Sequence, residues 1–151
     1  MDDVVALEPG HVIPATAAES AEGVTGAHAL REKLLAKSDG RLGVTLGADA
    51  ILAALAHYGS IQRIGLVTPN MPIAQTPKAV LRDAIVEVGN SEVDPIVIVG
   101  TTLPMAQVAA AAEFWIGKLV MALDTATHQH ALRQCGIDGR VQGSGRLSAE
   151  F

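Results

Sequence analysis

The stretch IVIVGTTLP, Ile96 to Pro104, decides the fold. Ile96 to Val99 places four β-branched residues in a row, the composition of a strand buried on both faces. Gly100 ends that strand, Thr101 and Thr102 follow, and Pro104 opens a helix, because proline's fixed φ suits the first helical turn. A buried strand passing through a short loop into a helix is the working half of a parallel β–α–β unit. Backbone N–H groups at such a junction, with the two threonine hydroxyls beside them, suit a carboxylate or phosphate. A threonine that only caps the helix gives the same sequence.

The same alternation extends in both directions. Arg63 to Thr68 reads as a strand running into Pro69, and Thr76-Pro77 as the cap and first turn of a helix over Lys78 to Val88. Leu119 to Leu123 is a further strand, and Asp124 or Thr125 caps a helix to Gln134, closed by Gly136. Upstream, Asp3 to Leu7 reads as a strand followed by a long Pro/Gly/Ala/Ser loop from Glu8. Helices are predicted over Ala27 to Lys37 and Ala48 to His57, with a short strand at Leu42 to Leu46 between them. The Gly-rich tail, Ile137 to Phe151, is expected to wrap the surface. Alternating strands and helices with short loops predict an α/β fold with parallel sheets.

The chain also looks internally duplicated. Placing Gly59 over Gly136, an offset of 77, superposes Leu46 on Leu123, Ala54 on Ala131, Leu55 on Leu132 and Arg63 on Arg140. Two similar half-sheets then face each other across a pseudo-dyad. Their cleft is expected at the loops after Leu7, Thr68 and Val99, since open parallel sheets bind ligands beyond the carboxyl ends of their strands. One compact unit is expected, with approximate lobes 1–62 and 93–151 and a central segment 63–92. A second hydroxyl and amide cluster, Thr68, Asn70, Gln75 and Thr76, falls at the cleft, although Pro69, Asn70 and Pro72 also make an ordinary turn.

Composition excludes several classes. The 151 residues are 49% hydrophobic and 18% charged, too apolar for a disordered tail. Aromatics at 3% leave no base-stacking platform, and a net charge of -5 opposes nucleic acid or an anionic membrane as partner. The N-terminal residues do not read as a secretory signal, and the longest uncharged stretches carry Pro, Thr and Gln, so a cytoplasmic protein without a membrane span is expected. A single cysteine, Cys135, provides neither an internal disulfide nor a cysteine-based zinc site, and its place at a helix end reads as a small buried hydrophobe. His128 and His130 are two apart on a predicted helix and point to different faces, so they do not chelate one metal. His57 suits a helix C-terminus, and His11, in the first cleft loop, is a candidate acid or base. No phosphate-binding loop, dinucleotide fingerprint or nucleophile elbow is present.

Three segments, RIGLVTP at Arg63 to Pro69, IVIVGTTLPM at Ile96 to Met105 and HALRQCGIDGRVQGSGRL at His130 to Leu147, carry a family likeness in their order. Together they resemble the maleate isomerase and arylmalonate decarboxylase branch of the aspartate/glutamate racemase superfamily. From Asp94 onward the chain is also similar to the ectoine-utilisation subgroup of that branch. The resemblance covers roughly Ala27 to the end and implies two flavodoxin-like half-domains with the site between them, here shortened before Asp3 and between Gly89 and Val93. It further implies chemistry on small dicarboxylates without metal or organic cofactor, in which thiols at the two cleft loops move a proton or add to carbon while hydroxyls and N–H groups hold carboxylates.

The sequence departs from that pattern where the chemistry would be. Gly100 occupies the position expected for one cysteine, and the loop from Glu8 to Thr25 has none. Asn70 stands where a tyrosine is common, and Gln75 where an asparagine is. What remains is a carboxylate cradle of Thr68, Asn70, Thr101 and Thr102, with no assigned catalytic residue. Two functions follow: a cofactor-independent isomerase, racemase or decarboxylase, or a catalytically silent carboxylate-binding or scaffold protein of that descent. Shortening a sheet exposes an edge and apolar helix faces, so a homo-oligomer is expected.

Overall fold

In the computed structural model, β4 (Pro95–Ile98) is the middle strand of the larger sheet and all four of its residues are buried. The structure describes residues 9–14, 17–59, 61–67, 76–100 and 105–151. β3 (Gly65–Val67) and β5 (Leu119–Ala122) flank β4, both parallel to it, in register Val67 to Ile98 and Ile98 to Ala122. Strand alternation sends successive side chains to opposite faces. Ile96, Ile98, Val120 and Ala122 pack with Leu81 and Ile85 of α3 (Lys78–Gly89) and with Val108, Ala109 and Ala112 of α4 (Ala106–Ile116). Val97, Leu119 and Met121 face the other way. They meet Ala50 and Ala54 of α2 (Gly47–Tyr58), Ala126 of α5 (Leu123–Gln134) and Leu147 of α6 (Arg146–Glu150). Double coverage of this kind is why the strands read as unbroken apolar runs.

A second, two-stranded parallel sheet pairs β1 (His11–Val12) with β2 (Gly43–Val44). Its core joins Val44, Leu42 and Leu46 to Ala27 and Leu34 of α1 (Ala17–Lys37). Arg31 ties α1 to the next unit, pairing with Asp49 at 2.7 Å and donating to the Val44 carbonyl.

The duplicated pattern has a structural counterpart. β2–α2 and β5–α5 are equivalent strand–helix units at the expected offset, and α2 packs against α5. Leu46 and Leu123 are both buried at the helix starts, as are Ala54 and Ala131 further along. Gly59 and Gly136 both take positive φ, +79° and +73°, which residues with a Cβ rarely adopt. Segment 63–92, read as a central piece, contributes β3 and α3 to the larger sheet.

Four expectations are corrected. The loop from Glu8 to Gly23 instead contains β1 and the start of α1 at Ala17, ten residues before the helix read from the sequence. The tail docks through α6, with Leu147 and Ser148 buried, rather than only lying on the surface. Asp124 lies inside α5 and Ala122 is the residue before it. Thr76 does not cap α3, because Pro77 precedes the helix and the Thr76 hydroxyl has no hydrogen-bond partner. The strand read over Asp3 to Leu7 lies outside the described residues.

Candidate functional site

Three parallel strands deliver their carboxyl ends to one edge of the larger sheet. β4 continues through Val99 to Gly100, which is buried. Thr68, Asn70 and Gln75 after β3, and Thr101 and Thr102 after β4, lie outside the described residues. β5 turns directly into α5. Because Ile98 is in register with Ala122, Gly100 and Asp124 each stand two residues past paired positions on adjacent strands. Adjacent strands run about 4.8 Å apart.

An open cavity of about 400 Å³ lies beyond the carboxyl end of β5. Asp124, Thr125, His128 and Gln129 line it from α5, Ala106 from the start of α4, and Ser144 and Ser148 from the C-terminal segment. Asp124 sits in the first turn of α5, where the helix dipole favours its negative charge, and its Oδ1 accepts the Thr125 N–H at 2.8 Å. Gln129 is 1% exposed. Its Nε2 donates to the Ser148 carbonyl at 2.9 Å, while its Oε1 is buried with no hydrogen-bond partner. A carbonyl only accepts, so the amide orientation is determined and the orphan is the oxygen. An unpartnered buried acceptor costs about 1–3 kcal/mol.

Across the molecule, His11 Nε2 shares a 2.8 Å hydrogen bond with the hydroxyl of buried Thr45. Burial pushes the His11 pKa down, and the charge of His130 adds to the effect. The two α5 histidines differ in surroundings: His128 borders the cavity, whereas the charge of His130 is felt at His11. His57 lies in the last turn of α2 with its ring edge-on to Tyr58 and Phe151, an aromatic contact that residue type alone does not announce.

Cys135 is free and exposed, which corrects its reading as a buried hydrophobe. It follows the last residue of α5, where the chain leaves the packed helix face. The cavity borders the first half of that helix, which starts at the end of β5. Twelve residues of α-helix span about 18 Å. The thiol is thus remote from the edge where Gly100 stands.

The closing segment, Gly143 to Leu147, is built into the scaffold. The half-buried Glu113 carboxylate accepts the Arg146 N–H at 2.8 Å and the Val120 N–H at 3.2 Å, and burial pushes its pKa up. Arg146 pairs with Glu150 and lies over the Tyr58 ring, and Arg133 donates to the Phe151 carbonyl. Burial also raises the Tyr58 pKa. Among the described residues, no group of three or more His, Cys, Asp or Glu side chains could hold a metal ion. Nor is any described helix long and apolar enough to cross a membrane.

Parallel sheets, the larger covered by helices on both faces, define an α/β protein with a cavity beyond the end of β5. Its fold is shared with solved maleate isomerases and arylmalonate decarboxylases. Maleate cis–trans isomerase of Nocardia farcinica, bound to TRIS, is 21% identical, with a TM-score of 0.82 over 98% of this chain and 74% of that one. A Gly-to-Cys variant of arylmalonate decarboxylase, in its sulfate-associated form, is 18% identical (TM-score 0.80, 97% and 76% covered). The maleate isomerase Iso of Pseudomonas putida S16 is 19% identical (TM-score 0.77, 93% and 69% covered). No protein-family model and no curated protein sequence matches the chain.

Proposed function

We propose that this chain binds a small carboxylate at the carboxyl ends of β3, β4 and β5, and that thiol-dependent isomerisation or decarboxylation is silent in it. The carrying observation is the placement of Cys135, exposed and a helix length from Gly100. A Cys-to-Ser variant of the Nocardia farcinica isomerase holds a covalently bound succinylcysteine intermediate, so a thiol carries covalent chemistry in that protein. Here the strand end offers a glycine, which has neither a nucleophile nor a titrating group. Hydroxyls and N–H groups can still bind a carboxylate without turning it over, because binding needs donors and catalysis needs a proton carrier.

The reading includes a homo-oligomer in the cytoplasm without nucleic-acid or membrane partners. Exposed Phe114 and Trp115 on α4 support self-association, and the net charge of -5 supports the absence of polyanion binding. The test is a maleate and malonate titration of the full chain followed by NMR, with proton exchange, isomerisation and decarboxylation monitored in the same samples. Binding without turnover is expected. Turnover by the unmodified chain would overturn the silent site and favour a cofactor-independent isomerase, racemase or decarboxylase.

A further inference from the structure

We propose that Gln129 is a ligand-binding residue whose Oε1 accepts a hydrogen bond from a hydroxyl or ammonium group of the molecule in the α5 cavity. This deepens the small-carboxylate reading and rests on it: the ligand carries a hydrogen-bond donor as well as its carboxylate. Gln129 belongs to the cavity wall and is almost wholly buried, yet only half of its amide is used. Nε2 is held by the Ser148 carbonyl, so side-chain rotation cannot satisfy Oε1 without breaking that bond. Buried polar atoms are nearly always paired; Oε1 is shielded from water behind the cavity wall, and a ligand donor that displaces the wall over it satisfies it.

The remaining lining agrees. Thr125 lies one helical turn before Gln129, on the same face of α5. Asp124 contributes a carboxylate, an acceptor when ionised, and the described lining contains no lysine or arginine. This end of the cleft therefore suits the donor end of a ligand rather than its carboxylate. The carboxylate belongs towards Gly100, beyond the end of β4.

The experiment compares succinate, malate and aspartate, which differ by no added donor, a hydroxyl or an ammonium, together with 2-aminoethanol, which has both donors and no carboxylate. Affinity and the side-chain carbonyl carbon resonance of Gln129 are followed in the labelled full chain. Malate or aspartate is expected to bind about tenfold more tightly than succinate and to move that resonance, the effect of one buried hydrogen bond. Which of the two gains more identifies the donor. Gln129→Met is expected to abolish the advantage of malate or aspartate over succinate; if that variant does not fold, the wild-type resonance decides.

Equal affinities with an unmoved Gln129 resonance would overturn this proposal and leave the carboxylate reading standing. If no diacid binds but 2-aminoethanol moves the resonance, the donor site stands and the carboxylate reading falls. No response to any of the four overturns both.

Discussion

His11 Nε2 and Thr45 Oγ1 share a hydrogen bond of 2.8 Å that joins the two strands of the smaller sheet at their side chains. Burial and the charge of His130 hold the His11 pKa below its ordinary 6.5. The folded chain therefore binds this proton less readily than the unfolded chain. The stabilising contribution is fully present above pH 6.5 and is lost as pH falls through 6.5 towards the lower folded value. Urea midpoints are expected to drop between pH 7.5 and 5.5, and to drop less in His11→Gln. Glu113, with its raised pKa, works in the opposite direction across the carboxylate range, but it is common to both chains. Equal pH dependence in the two would refute the assignment.

A Cβ on Gly43 would overlap the His11 ring. Gly43→Ala must displace that imidazole from Thr45 or spread the β1–β2 pair. We expect a loss of about 1–3 kcal/mol, the scale of overpacking, in urea denaturation. A variant as stable as its parent would show that the ring has room to move.

Leu147, 2% exposed, fixes the C-terminal segment against Val97, Met121 and Ala126. Leu147→Ala is expected to cost about 2–5 kcal/mol. The same measurement in Cys135→Ser should register almost nothing, since that side chain is exposed.

Gly100→Cys would place a thiol at the strand edge ahead of α4, an environment that lowers a cysteine pKa. Thiolate absorbance on pH titration is expected to show a group ionising below the usual 8.5, approximately, of free cysteine. A one-base reaction such as malonate decarboxylation is the expected gain over an inert parent. An ordinary thiol pKa at position 100 would contradict this placement.

Thr101→Val is expected to weaken maleate binding by about 1 to 2 kcal/mol, the worth of one hydrogen bond to a charged group. Titration calorimetry reads this directly. Unchanged affinity would mean that the carboxylate is held elsewhere.

Much of the scaffold was legible because it depends on local pattern. The β-branched run at Ile96 to Ile98 could be buried on both faces only as a central strand, and α2 and α5 announce themselves by apolar spacing and closing glycines. β1 was not legible: two residues, His11 and Val12, form a strand only because β2 lies alongside. Helix α1 begins in a stretch where Gly23, Thr25 and Gly26 argue against helix, and weak propensity gave way to context there. At the site, the cradle residues were read from their positions alone, whereas Gln129 has no local signal. Its importance lies in an amide whose partner, Ser148, is 19 residues away.

From its order of residues alone, this protein is an α/β chain with a repeated strand–helix unit and a glycine at the end of its central strand. Those properties follow from side-chain volume, β-branching and backbone freedom, which act over a few neighbouring residues. Only the tertiary structure separates Cys135 from the strand edge, brings His130 near His11 and leaves Gln129 Oε1 unpaired in a cavity wall. Each depends on which distant surfaces pack together, and burial and hydrogen-bond satisfaction are properties of that packing rather than of the residues themselves.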